Sequence, residues 1–323
     1  MQDVRALARF LSDAGPAGTV VLGGAGMSTE SGIPDYRGPS GSLRRHTPMQ
    51  WRTFVTDPRA RQRYWARSYL GWRPMRDARP NAGHHALARL QHRQVVGPLI
   101  TQNVDGLHQK AGSTDVVELH GGLDRAVCLN CENVIDRGWL DTALREANPG
   151  FAAAVADLNP DGDAEIAEES LDSFVMVACP DCGGGPIRPD VVFFGETVPP
   201  ARVRHCFELV DAATALLVLG SSLHVMSGYR FVLHAAKRRL PIAIANRGPT
   251  RGDGYAELRI DAPLGGLLTE LARLTEYGTR AGSEVLAGAA LAAETVGTRG
   301  AGRAEDLAAR PDDDGVPVTT AAG

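Results

Sequence analysis

The segment that constrains this chain most runs over residues 19–38, Thr-Val-Val-Leu-Gly-Gly-Ala-Gly-Met-Ser-Thr-Glu-Ser-Gly-Ile-Pro-Asp-Tyr-Arg-Gly. Val20, Val21 and Leu22 form a short apolar run, the pattern of a parallel strand buried on both faces. Gly23, Gly24 and Gly26 then let the backbone turn sharply and approach a ligand that a Cβ would hold off. Ser28, Thr29 or Ser31 can cap a following helix whose first amides would point at a phosphate. Strand, glycine turn and helix start together describe a diphosphate site, although the third glycine of the dinucleotide fingerprint is missing.

Further along, apolar runs alternate with helical patterns. Residues 4–12 read as a helix and His84–Gln91 as another. Val95–Thr101 and Val116–Leu119 read as strands, the first ending in Gln102-Asn103-Val104-Asp105 and the second in His120-Gly121-Gly122. The rhythm resumes after residue 189. Strands are expected at Val191–Phe194, Ala215–Leu219, Ile242–Ala245 and Leu258–Ile260, and helices at Val203–Ala212, Ser227–Arg239 and Leu264–Leu274. Such repetition predicts an α/β fold, a doubly wound parallel Rossmann-like sheet. Residues 40–48 read as a loop folding over the ligand. Residues 49–79 carry Trp51, Phe54, Tyr64, Trp65, Tyr69 and Trp72 among arginines, which fits amphipathic helices with a wet arginine face. From about Gly278 the Ala/Gly/Thr/Asp-rich sequence is expected to be a disordered tail.

The rhythm breaks over residues 123–189, where Cys128-x-x-Cys131 and Cys179-x-x-Cys182 stand. Two such pairs suit a closed tetrahedral Zn²⁺ site with no position left for substrate, whereas a redox dithiol needs one pair. One structural zinc ion is therefore expected. The fifth cysteine, Cys206, reads as a small buried apolar residue. Asp157-x-Asn159-x-Asp161-Gly162, with Glu168 beyond, matches a calcium loop, but Pro160 lies inside it and no partner loop follows; an acidic surface turn is the better reading. The expected organisation is 1–122 with 190–277 as the nucleotide-binding domain, 46–80 as a helical insertion belonging to a small domain, 123–189 as an inserted zinc-binding module, and 278–323 as the tail.

The 323 residues carry a formal net charge of −4, which gives no pull toward nucleic acid or an anionic membrane surface. The N-terminus lacks the apolar core of a secretory signal, and no apolar run is long enough to span a bilayer. A cytoplasmic protein without direct nucleic-acid or membrane partners is expected.

Polar residues at the C-terminal ends of apolar strands are where open α/β sheets bind ligands. Residues 23–37, 101–105, 118–121 and 220–222 supply four such ends, and Asn246 a fifth. His120 is the candidate base among them, ahead of two glycines that clear space around it.

Ser31-Gly32-Ile33-Pro34-Asp35-Tyr36-Arg37 closely resembles the first signature of the sirtuins. Thr101–His108, Glu118–Gly121, Pro189–Glu196 and Gly220–Val225 resemble the later ones, in family order and with the cysteine pairs between them. The resemblance covers residues 1 to about 275. It implies NAD-dependent removal of an acyl group from lysine, with transfer to ADP-ribose and release of nicotinamide, on acyl-lysine proteins or peptides. It further implies His120, Asn103 and Asp105 as catalytic residues. NAD would be held by Gly24, Ala25, Gly26, Ser28, Ile33, Asp35, Tyr36, Arg37, Gln102, Asn103, Asp105, Gly220, Ser221, Ser222, Asn246, Arg247, Gly248 and Leu264. The peptide would add as a strand between Val192, Phe193, Phe194 and Gly195 on one side and Leu223 and Val225 on the other.

Tyr36 stands where many members have Phe, and Gly38 where many have Ser. Arg63–Arg67, Gly71-Trp72 and Gly228–Phe231 look like the class II branch, known for longer or acidic acyl groups and linked to ADP-ribosyl transfer. Tyr64-x-x-Arg67 has the spacing that the desuccinylase branch uses to hold an acyl carboxylate; a wet helix face explains the same arginine. Mono-ADP-ribosyl transfer at the same site and a non-catalytic NAD-sensing module remain the competing functions. A dehydrogenase would need an acidic ribose ligand where Arg44-Arg45-His46 stand.

Overall fold

The structure is a computed structural model that describes residues 1–37, 47–152, 157–165, 171 and 173–276. The chain divides into two units, Met1–Glu276 and Tyr277–Gly323, and the description concerns the first. The expected tail, most of the 40–48 loop and Arg44–His46 lie outside the described residues.

The first unit opens with α1 (Gln2–Ala14), which buries Val4, Leu7 and Leu11, and then β1 (Thr19–Gly23). Next come α2 (Trp51–Thr56), α3 (Pro58–Asp77) and α4 (Ala82–His92). Asp57 caps α3 by accepting from the amides of Arg59 and Ala60, with Pro58 at the first helical position. Asn81 caps α4, and its Nδ2 also donates to Met27 O at 2.8 Å and Ser31 Oγ at 3.0 Å, tying that helix to the glycine segment. Then follow β2 (Leu99–Thr101), α5 (Leu107–Lys110), β3 (Val116–Glu118), β4 (Gly121–Cys128), β5 (Val134–Asp136) and α6 (Arg137–Ala147). A short hairpin pairs β6 (Asp157–Leu158) with β7 (Ala164–Glu165) before β8 (Ile187–Val191). The chain then runs through α7 (Pro200–Ala212), β9 (Ala215–Leu219), α8 (Met226–Lys237), β10 (Ile242–Ala245), β11 (Leu258–Ile260) and a last helix, α9, over 264–276.

Six strands form one parallel sheet in the order β11-β10-β9-β1-β2-β3. The period-2 alternation of strand side chains divides their apolar residues between two cores. Val21, Leu217, Leu219, Ala243 and Ala245 pack with residues of α1, α4 and α9. Val20, Leu22, Leu216, Val218, Ile242 and Ile244 pack on the other face with α7 and α8. Both faces are covered, so the sheet is doubly wound as expected. The order reverses between β1 and β9, which makes their carboxyl ends the ligand crevice of such a sheet.

A second, antiparallel sheet runs β5-β4-β8, and its core also takes Phe54, Tyr64, Trp65 and Tyr69 from α2 and α3. Trp65 Nε1 donates to Ile187 O at 2.9 Å, joining α3 to β8. The guanidinium of Arg137 is buried over the rings of Trp65 and Trp72 at 5.5 and 4.8 Å.

Three expectations are corrected. The Val191–Phe194 run is no strand of the main sheet: β8 ends at Val191 and pairs antiparallel with β4. No α-helix follows the glycine turn; Ala25–Met27 and Thr29–Ser31 are two single 3₁₀ turns. The acidic stretch at 157–165 is not a surface turn, since Asn159 and Asp163 are 1% and 4% exposed.

Candidate active site

The glycine segment packs first against protein. A Cβ on Gly24 would lie 2.7 Å from Ser221 Cβ, and one on Gly26 2.8 Å from Gly220 Cα. The Gly24 amide donates to Leu219 O at 2.9 Å and the Gly26 amide to Gly220 O at 2.8 Å. These glycines therefore let the loop after β1 seat on the loop after β9, with Gly220 at φ +62. The amides of Met27 and Ser28 are also engaged, on Gly24 O and Ala25 O, so a phosphate here does not meet a ready-made helix N-terminus.

Ser28 caps nothing. Its hydroxyl donates to Asp105 Oδ2 at 2.6 Å and accepts from Asn103 Nδ2 at 3.0 Å, while Asn103 Nδ2 also reaches Gly24 O at 3.2 Å. Asp105 Oδ1 accepts from the Leu107 amide at 2.9 Å. Burial raises the Asp105 carboxyl above its usual range, opposed mainly by the Ser28 and Leu107 hydrogen bonds. Gln102 Nε2 bridges Gly23 O at 3.1 Å and Ser221 Oγ at 2.9 Å, locking the ends of β1, β2 and β9 together. Ser28, Asn103 and Asp105 thus form one hydrogen-bonded group at the crevice, and Gln102 with Ser221 a second.

His120 stands between β3 and β4. Its Nδ1 lies 2.9 Å from Gln102 O and its Nε2 2.8 Å from Ser227 Oγ. A carbonyl oxygen can only accept, so Nδ1 carries the proton and Nε2 presents a lone pair that accepts from Ser227. Burial pushes the imidazole pKa down to about 4, with Gln102 O opposing and Arg202 and Arg230 assisting. The ring is neutral at physiological pH. The two glycines after it serve packing: Gly121 has φ +81, and a Cβ there would lie 1.9 Å from Asp190 O.

Ser227 escaped the sequence reading. Gly228, read from the sequence only as a branch feature, packs on the same site: a Cβ there would lie 2.4 Å from Gln102 Oε1. Their signal was the Ser-Gly at the start of α8, two residues past Val225, but only the fold brings it to His120.

In the second half of the glycine segment, Ile33 is buried, Asp35 and Tyr36 are half-buried and Arg37 is exposed. The Tyr36 ring meets the Phe194 ring edge-on at 5.9 Å. Asn246 follows β10, and its Nδ2 donates to Arg247 O at 3.0 Å and Gly248 O at 3.1 Å, curling that loop with Gly248 at φ +80. Leu264 is buried at the start of α9, and the next amide, of Gly265, donates to Glu30 Oε1 at 3.0 Å. Asn246, Arg247 and Gly248 are therefore on the loop after β10, and Leu264 is on the first turn of α9.

The backbone of Val192–Phe194, expected to pair with a peptide, is partly engaged within the protein. The Val192 amide donates to His120 O at 2.9 Å, the Phe193 amide to Glu196 Oε2 at 2.9 Å, and Phe194 O accepts from the Trp51 amide at 2.8 Å. The Phe193 ring is buried against Phe54, Tyr64 and Trp51, whereas Gly195 is exposed at φ +78. Opposite, Leu223 is buried at φ +57 and Val225 precedes α8. Tyr64 is a core residue at 3% exposure; Arg67, one turn on, keeps 22% of its side chain exposed.

The four paired cysteines form a single cluster. Cys128 Sγ lies 3.7 Å from Cys182 Sγ, Cys131 Sγ 3.7 Å from Cys179 Sγ, and all four sulfurs fall within 4.8 Å of one another. A tetrahedron with Zn–S bonds of about 2.3 Å has edges of about 3.8 Å, so the cage fits zinc. Gly185 closes the knuckle, since a Cβ there would lie 2.2 Å from Cys128 Sγ. The amides of Gly184 and Gly185 hold the Cys182 thiol down to about 6, which favours the thiolate a metal needs.

Comparison with known proteins follows from this geometry. The sequence model of the Sir2 family matches residues 24–227. The chain is 56% identical over 270 residues to NAD-dependent protein deacetylase 1 of Streptomyces coelicolor, covering 84% of this chain and 89% of that one. It is 49% identical over 271 residues to NAD-dependent protein deacetylase of Bordetella bronchiseptica, covering 84% and 98%. Among solved structures, a Sir2 complex with a p53 peptide and NAD⁺ matches with a TM-score of 0.65 at 31% identity, over 85% of this chain and 98% of that one. A Sir2 enzyme from a study of mechanism and regulation matches with a TM-score of 0.66 at 30% identity, over 84% and 97%.

Proposed function

The chain belongs to the Sir2 family, and from that premise we infer that it is an NAD-dependent protein lysine deacylase carrying one structural zinc ion. The single observation that carries this reading is the His120 imidazole at the carboxyl end of the parallel sheet, its Nδ1–H held on Gln102 O and its Nε2 accepting from the Ser227 hydroxyl, the acceptor a ribose hydroxyl would use in its place.

When bound, NAD⁺ supplies the ribose carbon that loses nicotinamide and, in ADP-ribose, the acceptor of the acyl group. With NAD⁺ bound, His120 Nε2 would exchange the Ser227 hydroxyl for a ribose hydroxyl and take its proton, while its Nδ1–H stays on Gln102 O and fixes the ring. Asn103 would hold the ribose and Asp105 the nicotinamide amide, both braced by Ser28. Ile33, Asp35 and Tyr36 would border the nicotinamide and Arg37 the phosphates. Gly24–Gly26 and Gly220–Ser222 would hold the diphosphate, and Asn246, Arg247, Gly248 and Leu264 the adenosine. The acyl-lysine peptide enters beside Gly195 and Val225, its acyl end directed toward Tyr64 and Arg67. Four thiolates complete the zinc shell, so the ion supports folding and takes no part in the reaction.

Among the described residues no helix is long and apolar enough to cross a membrane, and we propose a cytoplasmic enzyme acting on proteins rather than nucleic acid or lipid. Mass spectrometry of products from NAD⁺ and an acyl-lysine peptide tests the assignment. O-acyl-ADP-ribose is expected; protein-bound ADP-ribose in its absence would replace deacylation with ADP-ribosyl transfer.

A further inference from the structure

Between Gly121 and Ala126 the pairing of β4 with β8 is interrupted. Gly121 pairs with Val191 and Ala126 with Pro189, which leaves Asp190 as the one β8 residue opposite Gly122–Arg125. The Arg125 guanidinium spans this interruption. Its Nη2 donates to Glu118 Oε2 at 2.7 Å and its Nε to Asp190 Oδ2 at 3.1 Å. Glu118 ends β3 and is in register with Thr101 of the parallel sheet, whereas Asp190 belongs to β8 of the antiparallel one. One side chain therefore ties the two sheets together. Gly122 makes room for the junction, since a Cβ there would lie 2.7 Å from Asp124 Oδ1 and 3.1 Å from Glu118 Oε1. The Glu118 Oε1 atom accepts from Gln109 Nε2 at 2.8 Å, so both oxygens of that carboxylate are engaged.

The two carboxylates hold matching places in the chain. Two residues after Glu118 comes His120, and two residues after Asp190 comes Val192, whose amide donates to His120 O at 2.9 Å. We propose that Arg125 is a positioning residue: by holding Glu118 and Asp190 together it sets the peptide-pairing segment Val192–Gly195 at its working distance from the His120 ring. The inference rests on the deacylase reading above. Without the guanidinium, Glu118, Asp124 and Asp190 would meet as like charges with no cation between them, and the repulsion would strain the bond from Val192 to His120. Glu118 and Asp190 keep only 15% and 29% of their side chains exposed, so water screens that repulsion incompletely. Asp124 supplies the contrast. It pairs with the same guanidinium at 3.0 Å, but it is the sequence neighbour of Arg125 and 66% exposed, so its ion pair joins no separate segments.

The test measures nicotinamide release by the full chain against acyl-peptide and against NAD⁺ concentration, with NAD⁺ binding in the absence of peptide followed by calorimetry. Arg125→Gln is expected to raise KM for the acyl-peptide about tenfold, with kcat within about threefold and NAD⁺ affinity unchanged. Adding Asp190→Asn removes one of the opposed charges and should bring that KM back to within about threefold of wild type, a rescue that a packing role for Arg125 would not give. Asp124→Asn should leave KM as it is. Should Arg125→Gln fail to fold, Arg125→Lys carries the test: a point charge replaces the planar fork, and KM should rise about threefold. An Arg125→Gln or Arg125→Lys protein with wild-type zinc content, melting and peptide KM would overturn the proposal. So would a KM that rises in Arg125→Gln and is not rescued by Asp190→Asn, or one that rises equally in Asp124→Asn. Failure of the wild type to release nicotinamide with any acyl-peptide, while still binding NAD⁺, would instead overturn the deacylase reading beneath it.

Discussion

The two sheets of this protein hold their shape in opposite ways. The parallel sheet is covered on both faces and closes two apolar cores, so its stability is spread over many side chains. The β5-β4-β8 sheet has three strands packed on one aromatic-rich core that includes Phe54, Trp65 and Phe174, and its thiol cage adds a cross-link that the parallel sheet has no counterpart for. The difference teaches where damage travels: a point defect in the parallel sheet is shared among neighbours, whereas loss of one thiol removes a whole cross-link.

His120 belongs to the robust side, and its change should have the largest effect. His120→Ala is expected to lower kcat for acyl-peptide turnover by roughly 10²–10⁴-fold, the range for a lost general base, while hydrogen exchange stays unchanged in both sheets. Exchange that rises in β4 would mean that the ring is also a strut. Cys182→Ser should release zinc, read as metal per chain, and deprotect β4 and β5 while β9 and β10 stay protected. Simultaneous loss in both sheets would erase the contrast drawn here.

Acid should act on the other side. His84, His108 and His120 hold pKa values of about 4, 3 and 4 because burial disfavours the charged ring, and residues 121–191 contain no histidine. Each folded value lies below the ordinary histidine value of about 6.5, so between pH 6.5 and 4 the unfolded chain binds more protons. Stability is therefore complete above pH 6.5 and falls as pH drops, by about 1.4 kcal/mol per pH unit for each histidine. Denaturant unfolding between pH 7.5 and 5, followed on the parallel sheet, checks the slope. The smallest effect is expected from Ser227→Ala. Removing a donor to Nε2 destabilises the neutral ring and should raise the His120 pKa by roughly half to one unit, read by NMR of the imidazole.

How much of this was legible depended on how local the cause was. Ala215–Leu219, Ile242–Ala245 and Leu258–Ile260 are strands over those same residues, because each is a short apolar run bounded by polar or glycine punctuation. Val191–Phe194 has the same composition and deceived, since the register against β4 decides its sheet and periodicity carries no register. The zinc cage was visible in spacing alone. Gly24 and Gly26 were recognised as indispensable for a partly different reason: their nearest obstacle is the β9 loop. Ser227 was invisible as a neighbour of His120, because it reaches that ring only through tertiary contact.

β4, the central strand of the smaller sheet, is where the chain passes from His120 to the thiol cage. It starts one residue after His120 and ends on Cys128, and Arg125 along it pairs with Glu118 at 2.7 Å and Asp190 at 3.1 Å. The register of β4 against β8 breaks between Gly121 and Ala126, and only Ala126–Cys128 runs in continuous register with Ile187–Pro189. A residue added or deleted in that last stretch would turn alternate side chains to the wrong face and misplace the Cys128 thiol, whereas the irregular stretch before it can absorb a change in length.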